Sequence, residues 1–190
     1  ISHIFGKYKK AAFCDSSLKT GDKVLVFCCG TGLDFPPILN KIGKKGKITG
    51  VDFSSEMLIQ AEKKVKNKRW ENIELIHGDV TAFKGGNSPE YDAGVCTLGM
   101  SIIPDYKSAY YNLLSHVKKT GEIIIGDVQL ASGFMAYFNP LTILMGRKYG
   151  GTYQGHKNSG ELCSLMGKEL KDVRRREFFL GSYFYCIGTR

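Results

Sequence analysis

Two rhythms alternate along this chain. Short apolar runs, rich in β-branched residues, recur at Val24–Cys28, Lys47–Asp52, Ile73–His77, Tyr91–Thr97 and Glu122–Val128. Most are nearly continuous in apolar character, the pattern of strands buried on both faces. Between them, apolar residues recur three and four apart, as on one face of a helix. One such segment starts near Asp34 and continues through Ile38, Leu39 and Ile42. Asp34 is its expected cap, Pro36 and Pro37 fit its first turn, and Gly43 ends it. A second runs from its cap, Ser54, to about Asn67, with Met57, Leu58, Ala61 and Val65 as a buried stripe. A third starts at Asp105 and sets Tyr106, Ala109, Tyr110, Leu113, Leu114 and Val117 on one face before Thr120-Gly121 turns the chain. The stretch between His77 and Tyr91 has no helical pattern and carries a loop, Gly85-Gly86-Asn87-Ser88-Pro89. Strands and helices in this order predict an α/β fold with a parallel sheet covered on both faces.

The two ends read differently. In Ile1 to Ser17, the residues Ile4, Tyr8, Ala11 and Ala12 form one face of a helix or arm. After Asp127 the alternation stops. Leu130 to Tyr149 is rich in Phe, Tyr, Met and Leu and carries Asn139-Pro140. Gly150 to Gly160 is polar and glycine-rich, and Glu161 to Gly167 is expected as a short helix. Val173–Phe179 and Tyr183–Gly188 then read as two strands joined around Gly181-Ser182, an antiparallel hairpin.

With 190 residues, 43% hydrophobic and 24% charged, the chain suits one globular domain over 1–190. Within it, 130–168 reads as a substrate-side insertion or lid. No run of 18 uncharged apolar residues exists, so no spanning helix is expected. The first residue is Ile, and the first ten do not read as a signal peptide, because Lys7, Lys9 and Lys10 follow too short an apolar run. The six cysteines (Cys14, Cys28, Cys29, Cys96, Cys163, Cys186) form no C-x-x-C pair and sit mostly in apolar runs. They read as free thiols of a cytoplasmic protein. The histidines His3, His77, His116 and His156 have no metal spacing, and no metal is expected. A net charge of +9, with lysines crowding 41–47 and 63–69 and a run from Arg174 to Arg176, suits solvated faces, an anionic membrane surface or RNA.

The candidate chemistry centres on Lys23 to Asp34, where a strand breaks into Gly30-Thr31-Gly32 before a helix. Backbone N–H groups at such a turn point outward, ready for a nucleotide-like ligand. Asp52 ends the next strand, twenty positions after Gly32, where a carboxylate can accept from both ribose hydroxyls. A dinucleotide fingerprint wants a third small residue where Phe35 stands, so NAD is disfavoured. Gly78-Asp79-Val80 places a second carboxylate at a strand end, able to accept from an adenine amino group.

From Leu18 to Val128, with the terminal hairpin, the chain resembles the class I S-adenosylmethionine-dependent methyltransferases. The resemblance rests on the run Val24 to Gly32, on Gly50-Val51-Asp52-Phe53-Ser54-Ser55-Glu56-Met57-Leu58, on His77-Gly78-Asp79-Val80, and on Leu113-Leu114 through Lys119-Thr120-Gly121-Glu122-Ile123. Within the class it looks most like the ubiquinone/menaquinone C-methyltransferases and the phospholipid N-methyltransferases. The resemblance implies a Rossmann-like, mostly parallel seven-stranded sheet ending in an antiparallel hairpin, with S-adenosyl-L-methionine as cofactor. It implies that Cys28, Cys29, Gly30, Thr31 and Gly32 face the methionine part and that Asp52 holds the ribose. Phe53 and Met57 would pack on the adenine, Asp79 and Val80 would meet its edge, and Thr97 and Leu98 would lie near the sulfonium. Two residues depart from the family pattern: Val26 stands where an acid is usual, and Cys28 where glycine is usual.

Methyl transfer from a sulfonium is an in-line displacement whose main demand is alignment. A base is needed only for an acceptor that arrives protonated. Candidate bases are Asp127, Tyr149, Tyr153 and His156, with Asp127 best placed at a strand end. The apolar segment Ala131 to Tyr149, with Arg147-Lys148 beside it, points to a lipid-like acceptor: a phospholipid amine or an isoprenoid quinol. Peripheral contact with an anionic membrane follows from the same features. Nucleic acid is a weaker expectation, because Thr97-Leu98-Gly99-Met100 is not the Asn/Asp-Pro-Pro-aromatic motif of amino-directed DNA methyltransferases. RNA methylation and a non-catalytic cofactor-binding module stay open as alternatives.

Overall fold

A computed structural model describes residues 2–86, 90–147 and 150–190. Its elements follow in the order α1 (Ser2–Asp15), β1 (Lys23–Phe27), α2 (Phe35–Ile42), β2 (Lys47–Asp52), α3 (Ser55–Lys68), β3 (Ile73–His77) and β4 (Tyr91–Thr97). Then come α4 (Tyr106–His116), β5 (Val117–Val128), a 3-10 turn (Gly133–Phe138), α5 (Asn139–Arg147), α6 (Tyr153–Glu169), β6 (Lys171–Phe178) and β7 (Tyr183–Thr189). The seven strands form one sheet in the order β3-β2-β1-β4-β5-β7-β6. β1 to β5 are parallel, and β7 runs antiparallel to both β5 and β6.

Two apolar layers cover the sheet, as the continuous apolar strands require. Leu25 and Phe27 of β1 enter one layer together with Tyr110 and Leu113 of α4 and Leu162 and Met166 of α6. Val24 and Val26 enter the other with Phe13 of α1, Ile38 of α2 and Leu58 and Ala61 of α3. The order reverses between β1 and β4, the topological switch point of an open α/β sheet, where the crossovers diverge and leave a crevice at the carboxyl ends.

Five expectations need correction. Asp34 precedes α2, but its side chain does not cap the helix; it bonds Thr97 and Lys9 instead. Met57 is 46% exposed, outside the buried stripe of α3. Val117 begins β5 rather than closing α4, because it pairs with Tyr91. The glycine-rich stretch after Gly150 is the start of a 17-residue helix, α6, capped by the Thr152 hydroxyl, which accepts from the Gly155 amide at 2.9 Å. Its glycines serve close packing: a Cβ at Gly155 would lie 1.8 Å from the Ser101 carbonyl oxygen. Finally, Cys163 of α6 and Cys186 of β7 form a disulfide where helix and strand share one core layer. Cys14, Cys28, Cys29 and Cys96 are free.

The arginine run is absorbed by the fold. On the edge strand β6, Arg174 pairs with Glu122, Arg175 with Glu177 and Arg176 with Asp15. Charged side chains on an edge also discourage further strand pairing. Among the described residues, no helix is long and apolar enough to cross a membrane.

Candidate active site

The turn after β1 is built from residues in the left-handed region. Cys28 has φ 52°, Gly30 φ 53° and Gly32 φ 68°. Such an alternation curls successive N–H groups around a concave surface. Asp52, on the neighbouring strand, fastens the turn: one oxygen accepts from the Gly30 amide at 2.7 Å, the other from the Ser54 amide at 2.9 Å. From above, the Lys64 ammonium donates to the Thr31 carbonyl at 2.6 Å. Below it, Phe35 is fully buried against two glycines. A Cβ at Gly32 would lie 2.4 Å from the Phe35 ring, and one at Gly50 3.1 Å from it. Phe35 thus fills the space that a third small residue would leave open.

A cavity of about 310 Å³ opens beside this turn, at the carboxyl ends of β1, β4 and β5. Cys28, Cys29, Gly30 and Thr31 form one wall, and Thr97 and Leu98 another. Met57 reaches it from α3, Asp127 from the end of β5 and His156 from α6. The structure therefore gathers most of the expected residues around one space. Gly32, Asp52, Phe53, Asp79 and Val80 lie outside this wall. Asp52 reaches it only through Gly30. Phe53 is 75% exposed beside His77, whose ring nitrogen lies 2.8 Å from the Phe53 carbonyl. Asp79 is an exposed turn residue, one oxygen accepting from both the amide and the hydroxyl of Thr81, and these bonds lower its pKa. Val80 is buried in the core. Tyr153 is 59% exposed and does not reach the cavity, and Tyr149 falls outside the described residues.

Three residues that the chain's pattern did not single out as site residues complete the wall. Lys9 of α1 and Asp34 form a buried ion pair 2.8 Å long, and Asp34 also accepts from the Thr97 hydroxyl. Both line the cavity, so α1 closes the site with a charge pair. Ser101 lies under Asp127, donating its amide at 2.9 Å and its hydroxyl at 2.7 Å, while the Val128 amide donates at 2.7 Å. The alternation of strand and helix could reveal Asp34 as a helix start, but not its partners, which are 25 and 63 residues away.

Burial sets the acid–base character of the inner wall. Asp127 is fully buried, and desolvation pushes its pKa up to about 6 despite three donated hydrogen bonds. Burial pushes the His156 imidazole below its ordinary range. Neither His156 ring nitrogen has a partner in normal hydrogen-bond geometry among the described residues, although the Val128 backbone lies near enough to act on its charge. The ring is accommodated by glycines: a Cβ at Gly146 would lie 2.7 Å from Nε2. Among the described residues no cluster of His, Cys, Asp or Glu could hold a metal.

Comparison with known proteins decides the family. Residues 2–140 match the model of the ubiE/COQ5 methyltransferase family. The chain belongs to that family. It is a methyltransferase that depends on S-adenosylmethionine. The turn fits that cofactor: curled amides, an acid with lone pairs to spare beside them, and a cavity of ligand-binding size. The enzyme is 26% identical to a demethylmenaquinone methyltransferase of Bacillus mycoides over 96% of this chain and 84% of that one. In fold it is similar to phosphoethanolamine N-methyltransferase 2 of Haemonchus contortus in complex with S-adenosyl-L-methionine (TM-score 0.77, 14% identity, 100% of this chain and 55% of that one). It is also similar to geranyl diphosphate C-methyltransferase of Streptomyces coelicolor A3(2) (TM-score 0.76, 11% identity, 99% and 81% covered).

Proposed function

We propose that this enzyme methylates a lipid-like acceptor that must lose a proton as it reacts, of the isoprenoid quinol type. The bound cofactor supplies an electrophilic methyl group. The rest of the chemistry is alignment and proton removal. Cys28 to Gly32 and Asp52 hold the cofactor, with Met57, Thr97 and Leu98 against it and Phe53, Asp79 and Val80 bordering its adenine end. His156 accepts the acceptor's proton at a ring nitrogen. The observation that carries this reading is His156 itself: 2% exposed, held by burial below its ordinary pKa range, without a hydrogen-bond partner of normal geometry among the described residues, and lining the same cavity as the turn. Asp127 is less suited to take a proton, because three donors already occupy it. Its role is to hold Ser101 and the floor of the cavity.

Segment 130–168 forms the acceptor side. Phe134 and Tyr137 are 77% and 81% exposed, and Leu141 and Leu144 are exposed as well. Gly146, at the far end of α5, lines the cavity. Exposed apolar residues on a segment that reaches the cavity at Gly146, in a chain of net charge +9, suit peripheral contact with an anionic membrane that holds the acceptor. The relative from Bacillus mycoides, named for a demethylated quinone, supports a quinol acceptor. The test is transfer of radiolabelled methyl to a quinone extract, a total lipid extract and bulk RNA. Label in the quinone fraction is expected; label confined to RNA overturns the reading.

A further inference from the structure

The second unusual feature of the turn is a thiol that faces another thiol. Along β1 the side chains alternate: Leu25 and Phe27 enter one core layer, Val24 and Val26 the other. A continued strand would send Cys28 with Val24 and Val26. The left-handed φ of 52° at Cys28 instead turns its side chain onto the layer of Leu25 and Phe27. Cys96 of β4 lies in that same layer, and its register partner on β1 is Phe27, one residue before Cys28. Adjacent strands are about 4.8 Å apart, so a residue one step beyond the register partner falls within the Cα separations of about 4.4–6.8 Å that disulfides use. Gly99 marks the spot. A Cβ there would lie 2.8 Å from the Cys28 sulfur and 2.9 Å from the Cys96 sulfur. The neighbouring Cys28 thiol, together with burial, pushes the Cys96 thiol up.

We infer that Cys28 and Cys96 form an oxidisable dithiol within the cofactor site, and that closing their disulfide blocks cofactor binding. The blocking part rests on the reading that the turn holds S-adenosylmethionine. The oxidant is hydrogen peroxide. The Cys28 thiolate attacks a peroxide oxygen, the O–O bond breaks, and the sulfur becomes a sulfenic acid while the leaving oxygen departs as water after protonation. The Cys96 sulfur then attacks the Cys28 sulfur. An S–S bond forms, the S–O bond breaks, and hydroxide leaves with the Cys96 proton as a second water. The two sulfurs together lose two electrons, and the peroxide is reduced to two waters.

Access sets the order of these steps. Cys28 lines the cavity and is half-buried, whereas Cys96 is fully buried and does not line it. Cys29 also borders the cavity, but its side chain packs into the opposite core layer, away from Cys96, and burial pushes its thiol far up. A bond to Cys96 would fix the Cys28 sulfur against β4 and pull on the turn whose amides face the cofactor.

The experiment treats the whole chain with hydrogen peroxide, blocks remaining thiols, and maps disulfides by peptide mass spectrometry. Cofactor binding is measured by calorimetry before oxidation, after it, and after dithiothreitol. A peptide pair joining Cys28 to Cys96, at least a tenfold loss of cofactor affinity, and recovery on reduction are expected. Cys96→Ala should bind cofactor like the reduced wild type and keep that affinity after peroxide, and Cys96→Val serves if alanine weakens the fold. Cys28 and Cys96 left unlinked at full Cys28 oxidation, or an equal affinity loss in the Cys96 variants, overturns the dithiol. A reduced wild type that binds no cofactor fails the reading of the turn instead, while the peptide map still decides whether the disulfide forms.

Discussion

Asp52, at the end of β2, and Gly30, in the turn after the neighbouring β1, are joined by a 2.7 Å hydrogen bond from the glycine amide to the carboxylate. This bond makes the end of β2 part of the turn after β1. The carboxylate shapes the amide cradle and keeps lone pairs to spare, which the proposed function assigns to the cofactor. Val26, fully buried in the core, leaves the usual acidic position apolar. The charge within the cavity comes instead from Asp34, Asp127 and Lys9.

The Lys9–Asp34 pair gives a sharp stability test. Both side chains are buried, at 9% and 7% exposure. Removing one partner strands the other, which costs about 3–5 kcal/mol. Urea unfolding of Lys9→Met should show a loss in that range. The double variant Lys9→Met/Asp34→Asn should recover a large part of it, and additive losses would contradict the pairing.

Cys28 occupies a conformation that costs a non-glycine residue about 1–2 kcal/mol. Cys28→Gly should therefore raise stability by about 1 kcal/mol, after allowing for the freer unfolded chain. Thermal melting of the reduced proteins checks it, and a lower midpoint for the variant would count against the strained turn.

Asp127 predicts a pH dependence of known sign. Its pKa is about 6 in the folded protein, raised first of all by burial, and near 3.9 when unfolded. Between roughly pH 4 and 6 the folded state holds a proton that the unfolded chain has lost. Stability from this group therefore falls as pH rises through that window, by at most about 3 kcal/mol. His156 acts oppositely: its folded pKa is lowered, so stability falls as pH drops below its ordinary value near 6.5. Denaturation across pH 4–7 should show Asp127→Asn removing the first slope and His156→Phe the second.

The Cys163–Cys186 disulfide closes a loop with a sequence separation of 23 residues. Chain entropy gives such a link about 3 kcal/mol. Cys163→Ala/Cys186→Ala should lose about that much in urea unfolding. An unchanged midpoint would show that the bond adds nothing in solution.

The sheet was legible because burial on both faces leaves a simple mark: runs such as Val24–Phe27 have no polar interruption. The strand ends Asp52 and Thr97 and the turn between them followed from the same runs. The acceptor side was harder to read. The start of α6 owes its stability to close approach rather than to an apolar stripe, with Gly155 against Ser101 and a glycine pair around His156, so its residues look like a loop. Lys9 and Ser101 matter through partners far along the chain, which no local pattern records. Asp79 also fastens its own turn through one carboxylate oxygen, a local contact that the sequence reading did not include. The disulfide joins a helix to a strand in the core, and neither cysteine stands in a recognisable motif.

We propose above that the β1 turn and Asp52 hold S-adenosylmethionine. Titration calorimetry of the reduced wild type and of Asp52→Ala with S-adenosylmethionine tests it most directly. Each hydrogen bond to a charged group contributes about 1.5–3 kcal/mol, and the variant loses the ribose contacts and the Gly30 tether together. Saturable one-to-one binding by the wild type, weakened about a hundredfold or more in Asp52→Ala, is the predicted result. Equal affinity in the two proteins, or no binding to the wild type, would contradict the account.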